Sequence, residues 1–165
     1  MKMTCKLLFI LLLSGFAHTV KAQAIPKWKI ADLQKAVTES TGATVINFWA
    51  SFCKPCVAEI PYFQEEAKKY ESVGVKLILV SLDMSETYSK IPAFAKKFRF
   101  DVKPVVFLDE TNADLFCPVA DPKWSGAIPA TLFINNSTGY RQFYEDGVSR
   151  EKFIKELERL VALPK

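Results

Sequence analysis

Two cysteines with C-x-x-C spacing, Cys53 and Cys56, stand at the end of an apolar stretch of this 165-residue chain. A helical pattern of apolar residues follows them, so Cys53 is expected at the N-terminus of a helix. The unpaired backbone N–H groups and the dipole at a helix N-terminus stabilise an anion, and they favour the thiolate of Cys53 over its thiol. This placement predicts a nucleophilic sulfur at Cys53.

The two residues between the cysteines fit the same chemistry. Lys54 adds a positive charge beside the Cys53 sulfur, and Pro55 suits the first helical turn, where its missing N–H leaves no hydrogen bond unmade. Cys56 lies one turn deeper and close enough to form a disulfide with Cys53. The segment is therefore predicted to carry out thiol–disulfide exchange, with Cys53 attacking and Cys56 resolving.

The N-terminus has the composition of a secretory signal peptide. Lys2 and Lys6 stand at the start of an apolar run, Leu7 to Ala17, and Val20-Lys21-Ala22 offers small residues for cleavage. The run is shorter than the ~20 residues that a membrane span needs, which makes an uncleaved membrane anchor the less favoured alternative. We expect a signal peptide over residues 1–22 and one folded domain over residues 23–165.

Removal of the signal peptide changes which functions are open to the chain. The full sequence has 22 Lys and Arg against 18 Asp and Glu, and the loss of three lysines leaves 19 against 18, a net charge of +1. Without a basic patch interleaved with aromatic residues, nucleic acid is not an expected partner. The single histidine, His18, is lost as well, which excludes a Cys-His nucleophile, a Ser-His-Asp triad and a histidine-ligated metal.

Three cysteines remain in the mature chain, Cys53, Cys56 and Cys117. A structural zinc site takes four ligands, which three cysteines without histidine supply poorly, so no metal is expected. Cys117 is interpreted as a small buried hydrophobic residue. The alternative is a third redox-active thiol in the segment 109–127.

The elements that position the cysteines follow from hydrophobic periodicity. Strands are predicted at Trp28–Ile30, Ala43–Ala50, Val75–Leu82, Pro104–Leu108, Ala130–Asn135 and Tyr140–Glu145. Helices are predicted at Ala31–Thr41, from Cys56 to about Val73, at Ser89–Phe100 and after the capping residue Ser149, with a helical turn near Asn112–Phe116. This alternation indicates an α/β domain with helices packed on both faces of a sheet.

The segment from Phe48 to Cys56, Phe-Trp-Ala-Ser-Phe-Cys-Lys-Pro-Cys, resembles the active-site segment of thioredoxin-fold proteins. The following Glu59-Ile60-Pro61 is similar to the TlpA-like and ResA-like extracytoplasmic branch of that fold. The resemblance extends from about Trp28 to the last helix. It implies a thioredoxin-like three-layer α/β/α sandwich with a central mixed sheet.

The resemblance also implies a proton carrier. Thioredoxin has a buried aspartate at the strand position occupied here by Asn47, and asparagine cannot titrate. TlpA-like and ResA-like proteins have a glutamate at the position of Glu59, three residues after Cys56. If it is partly buried, Glu59 is expected to have a raised pKa and to exchange a proton with Cys56; the alternative is an ordinary solvent-facing carboxylate.

The substrate-facing residues are implied in the same way. Ile128-Pro129 resembles the cis-proline loop that faces the cysteine pair in thioredoxin folds, and its backbone would pair with an extended substrate. Phe52 replaces the tryptophan usual before the first cysteine. Together with Lys54 and Pro55, these residues are expected to contact the substrate.

These features predict an exported thiol–disulfide oxidoreductase, periplasmic or otherwise extracytoplasmic, that reduces protein disulfides without a bound cofactor. By resemblance, a membrane thiol–disulfide carrier would supply electrons to this protein. The protein would then serve cytochrome c maturation or general redox homeostasis. We expect a monomer. A disulfide-forming oxidant and a non-catalytic interaction domain of the same fold remain as alternatives, because spacing alone does not set the direction of electron flow.

Overall fold

The computed structural model describes residues 24–101 and 104–162. The predicted signal peptide, residues 1–22, lies outside the described residues. None of the helices within these two segments combines the length and the apolar character of a membrane span.

Strands and helices alternate along the chain. The strands are β1 (Lys27–Trp28), β2 (Thr44–Trp49), β3 (Lys76–Ser81), β4 (Val105–Leu108), β5 (Ala130–Asn135) and β6 (Tyr140–Tyr144). The helices are α1 (Ile30–Thr38), α2 (Lys54–Lys69), α3 (Ile91–Lys97), α4 (Ala113–Ala120) and α5 (Arg150–Val161). Short 3₁₀ helices occupy Glu71–Val73 and Ser85–Lys90.

The strands form one mixed sheet in the order β1-β4-β3-β2-β5-β6. Strand β2 pairs in parallel with β3 and antiparallel with β5. Because of these directions, the C-terminal ends of β2 and β3 meet the N-terminal end of β5 at the same edge of the sheet. The segment Ser51–Cys53 leaves β2 at this edge, so the cysteine pair lies there.

Helices cover both faces of the sheet because side chains of a strand alternate between the faces. Val45 and Trp49 of β2 belong to the apolar core under α2, α3 and α5, while Ile46 and Phe48 belong to the core under α1 and α4. All four side chains are fully buried. The predicted three-layer sandwich with a central mixed sheet is therefore confirmed.

Several predicted boundaries differ from the structure: β1 ends at Trp28, α1 ends at Thr38, and α3 is limited to Ile91–Lys97. Two further differences concern α2 and α4. Helix α2 begins at Lys54, two residues before the predicted start, because Cys53 caps it. Helix α4 is a complete helix where only a turn was predicted. Its start is stabilised by Asn112, whose side chain accepts a hydrogen bond of 3.0 Å from the backbone N–H of Asp114, and Pro118 within it obscured the helical pattern.

Candidate active site

Cys53 and Cys56 form a disulfide at the N-terminus of α2. Cys53 is the N-cap residue, and its Sγ accepts a hydrogen bond of 3.3 Å from the backbone N–H of Cys56. Pro55 occupies the first turn, where the backbone nitrogens lack helical partners. The helix terminus thus directs N–H groups and the positive end of its dipole at the Cys53 sulfur, which favours the thiolate when the disulfide is reduced.

The two cysteine residues differ in solvent exposure. Cys56 is fully buried, whereas 8% of Cys53 is exposed. Phe52 before it is 67% exposed, and the side chains of Lys54 and Pro55 are also exposed. An incoming disulfide can therefore reach Cys53 first, beside an exposed aromatic ring.

The peptide bond between Ile128 and Pro129 is cis, as predicted. It directly precedes β5, whose first residue Ala130 lies opposite Phe48 of β2 in the antiparallel register. This register brings the cis-proline loop to the same edge of the sheet as the cysteine pair. Pro129 is buried and Ile128 is half-buried.

Hydrogen bonds with Trp124 and Glu145 hold the residues that precede the cis-proline. The indole Nε1–H of Trp124 donates to the carbonyl of Ala127 at 2.8 Å. The carboxylate of Glu145 accepts from the backbone N–H groups of Ser125 and Ala127 at 3.0 and 3.3 Å, and from the Ser125 hydroxyl. These hydrogen bonds lower the pKa of Glu145. Trp124 is buried, so it packs in the core besides holding this loop.

Glu59 is buried, with 3% of its surface exposed, so it is not the solvent-facing carboxylate of the alternative interpretation. The side-chain amide of Asn47 donates to its Oε1 at 2.9 Å, and the backbone N–H of Val148 donates to its Oε2 at 3.2 Å. The pKa of Glu59 is raised from 4.5 to about 7: burial raises it most, the hydrogen bonds from Val148 and Asn47 lower it, and the negative charge of Asp146 raises it. Glu59 can therefore gain or lose a proton near neutral pH.

Asn47 connects Glu59 to the strand that follows the cis-proline. Besides Glu59, its Nδ2 donates to the hydroxyl oxygen of Thr131 at 3.1 Å and to the carbonyl of Ala130 at 3.4 Å. The other amide atom, Oδ1, is buried and has no hydrogen-bond partner within the described part of the chain. Asn47 therefore acts here only as a donor, which suits a charged carboxylate better than a protonated one.

The pair of Asp83 and Ser51 holds the segment before Cys53. No role for either residue was predicted from the sequence. The buried carboxylate of Asp83 accepts from the backbone N–H of Ser51 at 3.1 and 3.2 Å, from the Ser51 hydroxyl, and from the Ser81 hydroxyl at 2.8 Å. The position of Asp83 could have predicted this contact. Asp83 follows an apolar strand parallel to β2, and the C-terminal ends of parallel strands lie at the same edge of a sheet.

Trp49 and Cys117 both lie in the core. Trp49 is fully buried and its ring contacts Phe94 and Phe100, with centroids 5.9 and 5.0 Å away. Cys117 is buried, and burial together with the charges of neighbouring carboxylates raises its pKa to about 11. Cys117 is thus protonated at neutral pH, in agreement with its interpretation as a small hydrophobic residue.

Comparison with known proteins identifies the family. The sequence profile of the AhpC/TSA family matches residues 18–139, more than half of the chain. The chain belongs to the AhpC/TSA family. The chain is also similar to a protein named thiol-disulfide oxidoreductase ResA from Oceanobacillus iheyensis, 35% identical over 71 residues that cover 38% of this chain and 37% of the relative.

Two further ResA relatives show how far the similarity extends. The protein of Bacillus cereus (strain ZK / E33L) is 33% identical over 109 residues, which cover 62% of this chain and 61% of the relative. The protein of Geobacillus thermodenitrificans is 24% identical over 169 residues, which cover 93% of this chain and 92% of the relative. In the first two relatives the chain therefore spans less than two thirds of the relative's length. The resemblance stated from the sequence is confirmed.

Solved structures share the fold. A thioredoxin-related protein from Neisseria meningitidis serogroup B has a TM-score of 0.60 at 22% identity, covering 73% of this chain and 86% of that one. A secreted disulfide oxidoreductase of Mycobacterium tuberculosis has a TM-score of 0.56 at 17% identity, covering 73% and 84%. StoA from Bacillus subtilis has a TM-score of 0.53 at 24% identity, covering 71% and 83%. At these identities the likeness establishes the thioredoxin-like fold.

Proposed function

We propose that this protein is an extracytoplasmic thiol–disulfide oxidoreductase that reduces disulfides of client proteins. The observation that carries the proposal is the Cys53–Cys56 disulfide at the N-terminus of α2, at the same sheet edge as the cis Ile128–Pro129 loop. A structural disulfide would not need a sulfur directed at helix N–H groups beside an exposed aromatic ring. The names of the ResA relatives support the same reaction.

The reaction begins with the protein in its dithiol form. The Cys53 thiolate attacks one sulfur of the client disulfide, a mixed disulfide forms, and the second client sulfur leaves as a thiolate. Cys56 then loses its proton and attacks the Cys53 sulfur. This step closes the Cys53–Cys56 disulfide and releases the first client sulfur as a thiolate, so two electrons pass to the client.

Glu59 is the group we assign to the proton of Cys56. The two residues are three positions apart on α2, a spacing that places side chains as neighbours, with Cβ atoms about 5–6 Å apart. With a pKa of about 7, Glu59 is partly ionised at neutral pH and can accept the proton as the Cys56 thiolate forms.

The substrate contacts follow from exposure and from the cis-proline loop. Phe52, Lys54 and Pro55 present an exposed surface next to Cys53, and the backbone of Ile128 before Pro129 would pair with an extended client segment. The client thereby becomes oriented with its disulfide against Cys53.

We place the protein outside the cytoplasm. The proposal assigns residues 1–22 to a cleaved signal peptide and residues 23–165 to the working domain, a monomer that receives electrons from a membrane thiol–disulfide carrier. One structural relative is itself a secreted disulfide oxidoreductase, which is consistent with this location.

An insulin-reduction assay tests the activity. The wild-type protein and Cys117→Ala should precipitate insulin chains equally fast in the presence of a dithiol reductant, while Cys53→Ala should be inactive. Cys56→Ala, expressed in the native compartment, should accumulate mixed disulfides with its clients through Cys53. Equal rates for wild type and Cys53→Ala would refute the proposal and leave a non-catalytic interaction domain.

The direction of electron flow is tested by equilibrium titration of the Cys53–Cys56 pair against glutathione. Reduction potentials of thioredoxin-fold proteins span about −270 to −120 mV. A value near the lower end is expected for a reductant. A value near the upper end would show that the protein installs disulfides instead.

A further inference from the structure

Two exposed apolar side chains flank the Ser51–Asp83 pair beside the cysteines. Phe52 follows Ser51 and is 67% exposed, and Met84 follows Asp83 and is 62% exposed. They are two of the large hydrophobic side chains that the described part of the chain leaves exposed; the others are Val73, Phe98 and Leu115. The hydrogen bonds from Ser51 to Asp83 join the two loops that carry Phe52 and Met84 at the same edge of the sheet.

A groove of about 300 Å³ is lined in part by Ser51, the residue before Phe52. It runs between the segment after β2 and the helical segment after β3, at the sheet edge that holds the cysteines. Its apolar lining comes from Ile91, Ala93 and Phe94, its polar lining from Ser51 and Thr87, and its basic lining from Lys90 and Lys97. We call these seven residues the basic groove.

The floor of the basic groove is fixed by the core. Phe94 lines the groove and stacks on the fully buried Trp49, with ring centroids 5.9 Å apart. Trp49 is in turn held edge-on against Phe100 at 5.0 Å. A partner therefore meets a preformed surface, which reduces the entropy lost on binding.

The charges around the basic groove have one dominant sign. Lys90, Lys96, Lys97 and Arg99 lie within residues 90–100, and that segment contains no carboxylate. Within the described residues, neither groove lysine forms an ion pair with a carboxylate. Two carboxylates lie nearby, Glu86 of the 3₁₀ helix before α3 and the buried Asp83 that is bonded to Ser51, so the four basic residues leave a positive excess.

We propose that the basic groove binds an extended client segment that carries carboxylate side chains within a few residues of its reactive cysteine. Ser51 is two residues from Cys53, so their Cα atoms are at most about 7 Å apart. A client cysteine bonded to Cys53 thus has its near neighbours over Phe52, Met84 and the groove. The inference rests on the proposed reaction and names the clients it favours.

Three short synthetic peptides test the proposal. Each has one central cysteine protected as a 2-thiopyridyl disulfide, flanked on both sides by glutamates, glutamines or lysines. The reduced Cys56→Ala protein is mixed with each peptide, and release of 2-thiopyridone reports attack by Cys53. Opposite charges accelerate association by about tenfold or more at low ionic strength, so we expect the glutamate peptide to react about tenfold faster than the glutamine peptide.

Matched variants locate the effect. Lys90→Glu/Lys97→Glu should remove the advantage of the glutamate peptide and leave the glutamine peptide unchanged, and Lys90→Gln/Lys97→Gln should reduce it without reversing charge. The control, Lys35→Glu/Lys155→Glu, has the same net charge but substitutes exposed lysines of α1 and α5, outside the groove, so it should keep most of the preference.

The outcomes separate this inference from the proposed reaction. If all three peptides react at one rate, or if the control pair removes the preference as completely as the groove pair, the docking inference is wrong and the reaction stands. If Cys53 reacts with none of the peptides, the proposed reaction itself is wrong and the inference is lost with it.

Discussion

The side-chain amide of Asn47 donates a hydrogen bond of 2.9 Å to the carboxylate of Glu59, in the layer between β2 and α2. Both residues are buried, so this amide and the backbone N–H of Val148 replace water around the charge. Burial alone would raise the pKa of Glu59 further, and these two donors hold it at about 7. Asn47 thus keeps Glu59 within the range useful for proton exchange.

Replacement of Asn47 by leucine should raise the pKa of Glu59 above about 7, because the hydrogen bond it removes stabilises the charged form. The pKa can be measured by infrared titration of the protonated carboxyl band, with Glu59→Gln as the reference that lacks this band. A Glu59 pKa that is unchanged or lower in Asn47→Leu would contradict the assigned role.

Glu59 should make the protein less stable as the pH rises. Its pKa in the folded state, about 7, exceeds its ordinary value of 4.5, so the folded state binds the proton more tightly. The free energy of unfolding should therefore fall between pH 4.5 and about 7, by about 3 kcal/mol in total. Glu59→Gln lacks this titration, and chemical denaturation of both proteins across the pH range isolates the contribution as their difference. A difference that stays constant with pH would refute it.

The Asp83 carboxylate should position the segment that leads into Cys53. Asp83→Asn loses an acceptor for the Ser51 backbone N–H, and hydrogen bonds to charged groups contribute about 1.5–3 kcal/mol. Ser51→Ala removes the hydroxyl alone and should cost about 1 kcal/mol. We expect Asp83→Asn to destabilise the fold more and also to slow alkylation of Cys53 in the reduced protein. Equal rates of Cys53 alkylation in Asp83→Asn and Ser51→Ala would show that Asp83 has a structural role only.

Cys117 should be chemically silent. Its pKa of about 11 leaves it protonated at neutral pH, and it is one of the buried residues of α4. In the fully reduced native protein, iodoacetamide should modify Cys53 and spare Cys117 until denaturant is added, as mass spectrometry of tryptic peptides would show. Cys117→Ser should keep wild-type turnover in insulin reduction. A large loss of turnover would restore the interpretation of Cys117 as a third redox thiol.

Local patterns were sufficient to predict much of the site. The C-x-x-C spacing and the apolar stretch before it are contiguous, so they place Cys53 at a helix start without knowledge of the rest of the chain. The cis bond before Pro129 and the sandwich fold followed from resemblance of short segments. Helix α4 was underestimated because Pro118 lies inside it, and packing of Phe116 and Ala120 outweighs that local penalty.

The sequence by itself determined which sulfur can attack, since a helix N-terminus and the residues that cap it are local features. Only the tertiary structure decided the surroundings of that sulfur. Glu59 and Val148 are 89 positions apart, and Ser51 and Asp83 are 32 apart. Such pairs form only when β2 is enclosed by its neighbouring strands and by α2, because burial and hydrogen-bond partners belong to the assembled layers and not to any one segment.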